Sequence, residues 1–309
     1  MAIDHHRTRA VLDWLKGRWG ESFAQRLGPK THPLPPALGS QPGPGGRTRR
    51  WRTLTRHTAL TAADGQHFTA PLAALGEAFD EQIEHCIGVT TLPVGVVGPL
   101  RVNGLFAQGD YYLPLATTEA TLLASHARGA RLISAAGGCS AAVLNHGLSR
   151  APVFVFADLL TAGQFVDWVS HQFQALKAAA EATTRHGRLV DLRPHLEGNH
   201  VYLSCEYTTG EAAGQNMTTL ATEALCHYIE AHCPWRPLDW FLEANFSGDK
   251  KASAQALLGV RGKKVSAEVT LPAPLVARVL RVDVATLVRY WQVAALGGVM
   301  SGTLGVQGH

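Results

Sequence analysis

The sequence predicts an α+β protein, long enough for two domains or for one with an insertion, that contains a separate strand–helix–strand–helix–strand unit. Three observations carry that reading. Hydrophobic spacing switches along the chain between the 3.6-residue period of helices and the two-residue period of strands, with no internal repeat. Between 153 and 246, "VFVFAD", a helical stretch, "NHVYLSCEYTT", a second helical stretch and "WFLEANF" follow the order of a split βαβ, ferredoxin-like unit. Pro152 and the Gly/Pro-rich runs before it punctuate the chain where that unit begins.

In chain order, residues 8–27 read as a short amphipathic helix, with Val11, Leu12, Leu15, Trp19 and Phe23 near helical spacing. "GPKTHPLPPALGSQPGPGG" (28–46) is a linker that neither helix nor sheet accommodates easily. "RTRRWRTLTRH" (47–57) reads as a solvated, poorly ordered basic tail. Residues 71–86 are helix-like, and "IGVTTLPVGVVGPLRVNG" (87–104) gives short extended segments with a turn at Asn103-Gly104. A helix starting near Thr117 and Thr118 puts Leu122, Leu123, His126, Ala130 and Ile133 on one arc. Glu119 falls near the centre of that arc, while Arg128 and Arg131 fall on the far side. A carboxylate aimed at an apolar face needs a partner or a proton.

Within the compact unit, Val201, Leu203, Cys205 and Tyr207 alternate with Tyr202, Ser204 and Glu206, as a half-buried strand requires. Helices are predicted over 162–182 and 212–232, the second with Met217, Leu220, Ala224 and Tyr228 on one stripe. A strand around 263–271, a helix from about Pro272–Leu275 and the Gly-rich "GGVMSGTLGVQGH" follow.

Over 309 residues, 46% hydrophobic and 17% charged content describe a globular chain and exclude a disordered one. The net charge of +4 suits an anionic ligand and falls short of a nucleic-acid-binding signature. Cys86, Cys139, Cys205, Cys226 and Cys233 are odd in number and unpatterned, which points to reduced thiols in the cytoplasm. The charged N-terminus lacks the apolar region of a secretory signal, and no run of 18 apolar residues suggests a membrane span.

Neither G-x-G-x-x-G between strand and helix nor G-x-x-x-x-G-K-[ST] is present, so a Rossmann-type dinucleotide turn is not expected. "CHYIEAHC" (226–233) holds metal-ligand types, but on a helix its cysteines and histidines diverge, and no metal is expected. Ser247 and Lys250 match S-x-x-K without the accompanying S-D-N and K-T-G elements. In "NFSGDKKASA" (245–254), Asp249 adjoins Lys250 and Lys251 just after a predicted strand. Taken alone, this reads as a solvated charged loop. Paired with Glu119, it reads as a site that polarises a carbonyl and stabilises an oxyanion.

"IGVTTLPVGVVGPL", "LATTEATLLASHARGAR", "GLSRAPV", "GEAAGQNM", "NFSGDKKASA" and "RGKKVSAEVTLP" occur in this order, and together they resemble the 3-hydroxy-3-methylglutaryl-coenzyme A reductase family over about 84–309. The resemblance implies an N-terminal helix and linker (1–50), a large substrate-binding domain in two parts (51–152 and 241–309), and an inserted ferredoxin-like NADPH-binding domain (153–240). It implies reduction of a thioester to an alcohol by two hydride transfers from NADPH, giving mevalonate and coenzyme A, in a homodimer. Glu119 is then the catalytic glutamate and Lys250 the lysine facing the oxyanion, with Asp249 and Lys251 binding substrate. Arg150 would contact substrate and cofactor, and Arg128 coenzyme A phosphates. Thr184 and Arg185 fall where a 2′-phosphate is held, and Glu211, Gly214, Gln215 and Asn216 match the segment that approaches the cofactor at a helix N-terminus.

The match has departures. Glu211 replaces an aspartate, Ala213 and Gln215 replace methionines, and "EHCIG" alters the dimer-forming segment. Glu243 stands where a small hydroxyl residue is usual near the substrate carboxylate, and its charge would repel an acidic substrate unless it turns away. The family's coupling aspartate and its histidine, which lie beyond "SGTLGVQGH", have no counterpart in these residues. Three expectations compete. One is a reductase subunit completed by a fragment carrying those groups, the second a homologue that binds coenzyme A thioester or NADPH with impaired turnover, and the third a protein recruited to another acyl-CoA reaction.

Overall fold

The computed structural model describes residues 5–20, 22–40, 43–67, 85, 90–119, 121–251, 253–255 and 261–304. The chain divides into two compact units, one of 1–142, 267–301 and 305–309, the other of 143–266 and 302–304. Helices and strands mix in both, as an α+β fold requires.

In the first unit, the expected N-terminal helix is split into α1 (His5–Trp19) and α2 (Ser22–Leu27). Gly20, at φ +54, takes the left-handed conformation that ends α1. Leu15 is buried, while Trp14 and Trp19 pack with Phe106 at centroid distances of 5.9 and 5.5 Å. The basic run does not behave as a loose tail. It forms α3 (Gly43–His57), followed by α4 (Ala62–His67). Its arginines leave Trp51, Leu54 and Thr55 at helical spacing on one face, Leu54 is buried, and the Trp51 ring lies against Gly65.

The helix expected over 71–86 lies outside the described residues, apart from His85. β1 (Val94–Gly104) and β2 (Gln108–Ala116) form an antiparallel hairpin, registered from Val94↔Ala116 to Asn103↔Gln108. Asn103-Gly104 is the end of a strand and not the expected two-residue turn. The connection is residues 105–107, closed by the Gly104 N–H on the Ala107 carbonyl at 2.8 Å.

The next helix, α5 (Leu122–Ala135), starts later than the apolar arc suggests. Glu119 lies ahead of it, exposed and in irregular backbone, so it is not the inward-facing helical carboxylate of the sequence reading. Its N–H donates to Thr117 Oγ1 at 2.9 Å, a local threonine turn that competes with helix formation. The buried residues of α5 are Ala130, Leu132 and Ser134, and Leu122, Leu123, His126 and Ile133 are half-buried. Arg128 and Arg131 are exposed.

Arg101 ties this unit together. Its guanidinium donates to Asp110 through Nε at 2.8 Å and Nη2 at 2.9 Å, with side chains only 3% and 9% exposed. The same group donates to the carbonyls of Lys30 and Pro33, pinning the Pro/Gly linker to the hairpin. Its backbone N–H donates to Ser134 Oγ of α5 at 2.8 Å.

β3 (Cys139–Arg150) begins beside β1, with Val102↔Cys139 parallel pairing, and ends in the second unit. There follow β4 (Val153–Val155), α6 (Leu159–His171), α7 (Phe173–Glu181), β5 (Arg188–Glu197), β6 (His200–Thr208), α8 (Gln215–His232), β7 (Asp239–Phe241) and β8 (Arg261–Glu268). The strand order β5–β6–β4–β7, antiparallel at every pairing, is the ferredoxin-like arrangement. β5 was not singled out in the sequence; Pro194 interrupts its pattern, which an edge strand tolerates.

The β6 alternation holds except at Ser204, which is buried too; Val201, Leu203, Cys205 and Tyr207 are all buried beneath α6, α7 and α8 in a core that includes Phe154, Phe156, Phe165, Leu225 and Ile229. The α8 stripe does not. Its buried face is Thr218, Ala221, Thr222, Leu225, Cys226 and Ile229, and Leu220 is 56% exposed. Two threonines can be buried because Thr218 Oγ1 and Thr222 Oγ1 bond back along the helix, and Thr222 also meets the Tyr207 hydroxyl at 2.9 Å. The chain returns to the first unit with α9 (Ala273–Leu280) and α10 (Val284–Met300), so Gly297–Met300 are a helical turn and not part of a loose Gly-rich end.

Asp110→Ala should destabilise the protein by about 3–5 kcal/mol in denaturant titration, because it strands a buried guanidinium. A paired Arg101→Met, Asp110→Leu replacement should recover much of that loss.

Candidate active site

β3 and β4 run along the same edge of β6, Arg150 opposite Cys205 and Val153 opposite Tyr202, so the chain bends at Ala151-Pro152. That bend points Arg150 into the second unit with its side chain 9% exposed. Its donors are shared out among three elements. Nη1 donates to Asp249 Oδ2 at 2.8 Å and to the Ser149 carbonyl at 3.1 Å; Nε donates to Thr219 Oγ1 at 3.1 Å; Nη2 donates to the Gln215 carbonyl at 3.3 Å. Gln215 also donates its amide to Asp249 Oδ2 at 3.2 Å.

Asp249 belongs to a tight turn after β7. Strand pairing stops at Phe241, short of the expected 240–246, and Asn245 sits at φ +65, which no strand allows. Ser247 Oγ accepts the Asp249 N–H at 3.2 Å, and the Lys251 N–H donates to the Gly248 carbonyl at 3.2 Å. Lys250 is therefore held at φ +58, at a strain of roughly 1–2 kcal/mol for a residue with a Cβ.

Arg150, Gln215, Thr219, Glu243, Asn245, Ser247, Asp249, Lys250 and Lys251 line one cleft of about 280 Å³. Of the residues the sequence nominates, Arg150, Gln215, Asp249, Lys250 and Lys251 thus come together. Neither lysine makes an ion pair or side-chain hydrogen bond among the described residues, whereas Arg150 and Asp249 neutralise each other. A cleft of this kind can hold an anion and stabilise negative charge that develops on an oxygen. Among the described residues no hydrogen bond joins Ser247 to Lys250 as an S-x-x-K pair would require; its hydroxyl accepts the Asp249 N–H and closes the turn.

Glu211 and Asn216 are exposed, flanking the start of α8. Gly214 is the helix N-cap at φ +76, where a Cβ would come 2.3 Å from Thr209, so only glycine fits. Thr184 Oγ1 accepts the His186 and Gly187 N–H groups and contacts Met217 in the first turn of α8, beside the exposed Arg185. Glu119 and Arg128 belong to the other compact unit. Thr219 and Asn245 are lining residues that the sequence does not single out, and Ser247 enters there only through the discounted S-x-x-K match. Thr219 lies one helical turn beyond Gln215, a spacing that signals a shared face.

The turn is backed by aromatic rings. Phe246 packs on Tyr202 at 5.0 Å and on His195 at 4.8 Å. Burial, then the neighbouring Arg193 charge, pulls His195 below the usual imidazole range. Burial pushes the thiols of Cys205 and Cys226 well up, so they are inert core groups. Among the described residues no His/Cys/Asp/Glu group is placed to hold a metal ion, and no helix is long and apolar enough to cross a membrane.

The fold is that of an α+β protein with a ferredoxin-like unit, and its cleft is lined by two lysines beside a buried Arg–Asp pair. A family profile described as hydroxymethylglutaryl-coenzyme A reductase matches residues 47–309. The chain is 46% identical over 200 residues to the 3-hydroxy-3-methylglutaryl-coenzyme A reductase of Haloferax volcanii, covering 65% of this chain and 49% of that protein. It is 38% identical over 222 residues to the reductase of that name from Aeropyrum pernix, covering 72% and 53%. The class II reductase of Streptococcus pneumoniae, solved bound to NADPH in open conformations, shares the fold at a TM-score of 0.60 and 20% identity, over 75% of this chain and 59% of that one. This chain belongs to the hydroxymethylglutaryl-coenzyme A reductase family. It spans about half the length of the curated relatives it matches.

Because the folded state depresses the His195 pKa, the unfolded chain binds that proton more readily. Stability should be full above about pH 6.5 and fall as pH drops below it. Urea titrations between pH 5 and 7.5 should show this slope in the wild type and a shallower one in His195→Phe.

Proposed function

We propose that this chain carries the cofactor- and substrate-binding machinery of an NADPH-dependent reductase acting on 3-hydroxy-3-methylglutaryl-CoA or a related acyl-CoA thioester, with mevalonate and coenzyme A as products in the first case. The observation that carries the reading is the gathering of Arg150, Asp249, Lys250, Lys251 and Gln215 around one cleft in a chain of this family. The reading extends to a cytoplasmic homodimer, and to polypeptide carrying the aspartate and histidine that these residues lack.

The residues present fit a phosphorylated dinucleotide. α8 begins at a glycine with no side-chain cap, and Thr184, next in sequence to the exposed Arg185, contacts Met217 in its first turn. NADPH supplies the hydride for each of the two reductions. Lys250, presented by its strained turn, stabilises the oxygen of the acyl group as it becomes anionic. Asp249, fixed by Arg150 and Gln215, orients that turn, and Lys251 adds a second positive charge for the substrate. Glu119 donates the proton that turns the final oxyanion into an alcohol. Arg128, exposed on α5, is suited to coenzyme A phosphates.

Lys250→Met should lower kcat for thioester-dependent NADPH oxidation by about 10²–10³-fold while changing thioester affinity little. Spectrophotometric turnover together with calorimetric binding checks both, and a variant with the wild-type rate removes Lys250 from the mechanism. Binding of NADPH and thioester by the wild type without turnover would favour the impaired-homologue reading.

A further inference from the structure

We infer that Gln215 is a positioning residue of the cleft, whose side-chain amide holds the Asp249 carboxylate and through it sets where Lys250 stands. This deepens the reading above and rests on it only for the reaction through which a rate is measured.

Gln215 opens α8 and lines the cleft with Arg150, Thr219, Asp249 and Lys250. The resemblance assigns it to the cofactor, but its amide nitrogen donates to Asp249 Oδ2 at 3.2 Å. An ionised carboxylate only accepts hydrogen bonds, so the nitrogen of the amide, and not its oxygen, must face it. The base of the side chain is fixed as well. The Gln215 carbonyl accepts from Arg150 Nη2 at 3.3 Å, Thr218 Oγ1 at 3.0 Å and Thr219 Oγ1 at 2.9 Å. Arg150, Asp249 and Gln215 thus close a ring in which each residue bonds to the other two.

The ring needs its third member. Arg150 reaches Asp249 through one nitrogen on one oxygen at 2.8 Å, which sets a distance without the direction that two parallel bonds impose. Gln215 brings a second donor to that oxygen from α8, whereas Arg150 comes from β3. Ser247 Oγ accepts the Asp249 N–H at 3.2 Å, so the residue before Lys250 is gripped at both main chain and side chain. Lys250 follows at φ +58, a conformation that a residue with a Cβ does not favour by itself. Without the Gln215 amide the side-chain grip is weakened, and the lysine is held less firmly at the cleft. The main-chain N–H groups at the start of α8 are untouched by that loss.

Gln215→Met keeps the volume and removes the donor, whereas Gln215→Glu gains a donor only when protonated. In the full chain, Gln215→Met should lower kcat for 3-hydroxy-3-methylglutaryl-CoA-dependent NADPH oxidation about tenfold and leave calorimetric NADPH affinity within about twofold. Gln215→Glu should be as slow at high pH and recover relative to wild type as pH falls, because a carboxyl beside Asp249 takes up a proton more readily. Gln215→Met should show no such recovery. Lost NADPH affinity with kcat unchanged, or a Gln215→Glu pH profile parallel to that of wild type, overturns the inference. Hydrogen exchange at the Asp249 and Lys251 amides reads the turn without substrate. Their protection should fall about tenfold in Gln215→Met and return in Gln215→Glu at low pH, while the β6 amides report that the fold is intact. If Gln215→Met loses the β6 protection, the pH dependence of Gln215→Glu decides alone. Equal protection of the turn in wild type and both variants overturns the inference. A wild type that binds NADPH and thioester without turnover counts against the reductase reading alone, leaving the exchange rates to decide the role of Gln215.

Discussion

The ion pair between Arg150 and Asp249 is the constraint from which the geometry of the cleft follows. Both side chains are less than a tenth exposed, so neither charge is cheaply solvated, and each must be met by the protein. The guanidinium meets that demand by reaching a strand carbonyl, a helix hydroxyl, a helix carbonyl and a loop carboxylate together. Only a planar group with several fixed donors can join three elements in this way; a lysine would offer one point of charge. Once Asp249 is held, the two residues after it are held too, and Lys250 has little choice but the left-handed conformation it adopts.

Strain and charge balance work together there. Lys250 is itself exposed, and an ion pair at such a surface would contribute about 0–1 kcal/mol. The turn fixes where the Lys250 side chain departs from the backbone, beside the cleft where a negative charge on a ligand would be met. Glu243 moderates the positive surplus without pairing to either lysine among the described residues, because its oxygens are directed to N–H groups instead.

Much of this was legible in the residues. The β6 alternation and the order of strands and helices give the ferredoxin-like unit, and "SRAP" and "NFSGDKK" mark both halves of the cleft lining. What escaped has common physical causes. Buried polar groups that satisfy themselves are invisible to hydrophobic periodicity. Thr218 and Thr222 bond within α8 and move its buried face away from Leu220, and Arg101 reads as surface charge until Asp110 and two linker carbonyls surround it. Short-range competition also hides from a helical wheel. The Thr117 hydroxyl takes the Glu119 N–H and delays α5, which removes Glu119 from the arc that drew attention to it. In α3 the arginines mask a face that Trp51 and Leu54 are sufficient to bury.

Arg101 and Arg150 show how the same interaction serves structure in one place and chemistry in another. Each is a nearly buried guanidinium bonded to one carboxylate and to main-chain carbonyls. Around Arg101 the neighbouring donors and acceptors close on one another, and the result is a pinned linker. At Arg150 the paired Asp249 is followed directly by Lys250 and Lys251, whose charges find no partner among the described residues and which line an open cleft. Both lysines are exposed and water can solvate their charges, but one of them is kept in place at the cost of backbone strain. Strain in a turn that sets two lysines beside an open cleft separates this arrangement from the pinned linker around Arg101.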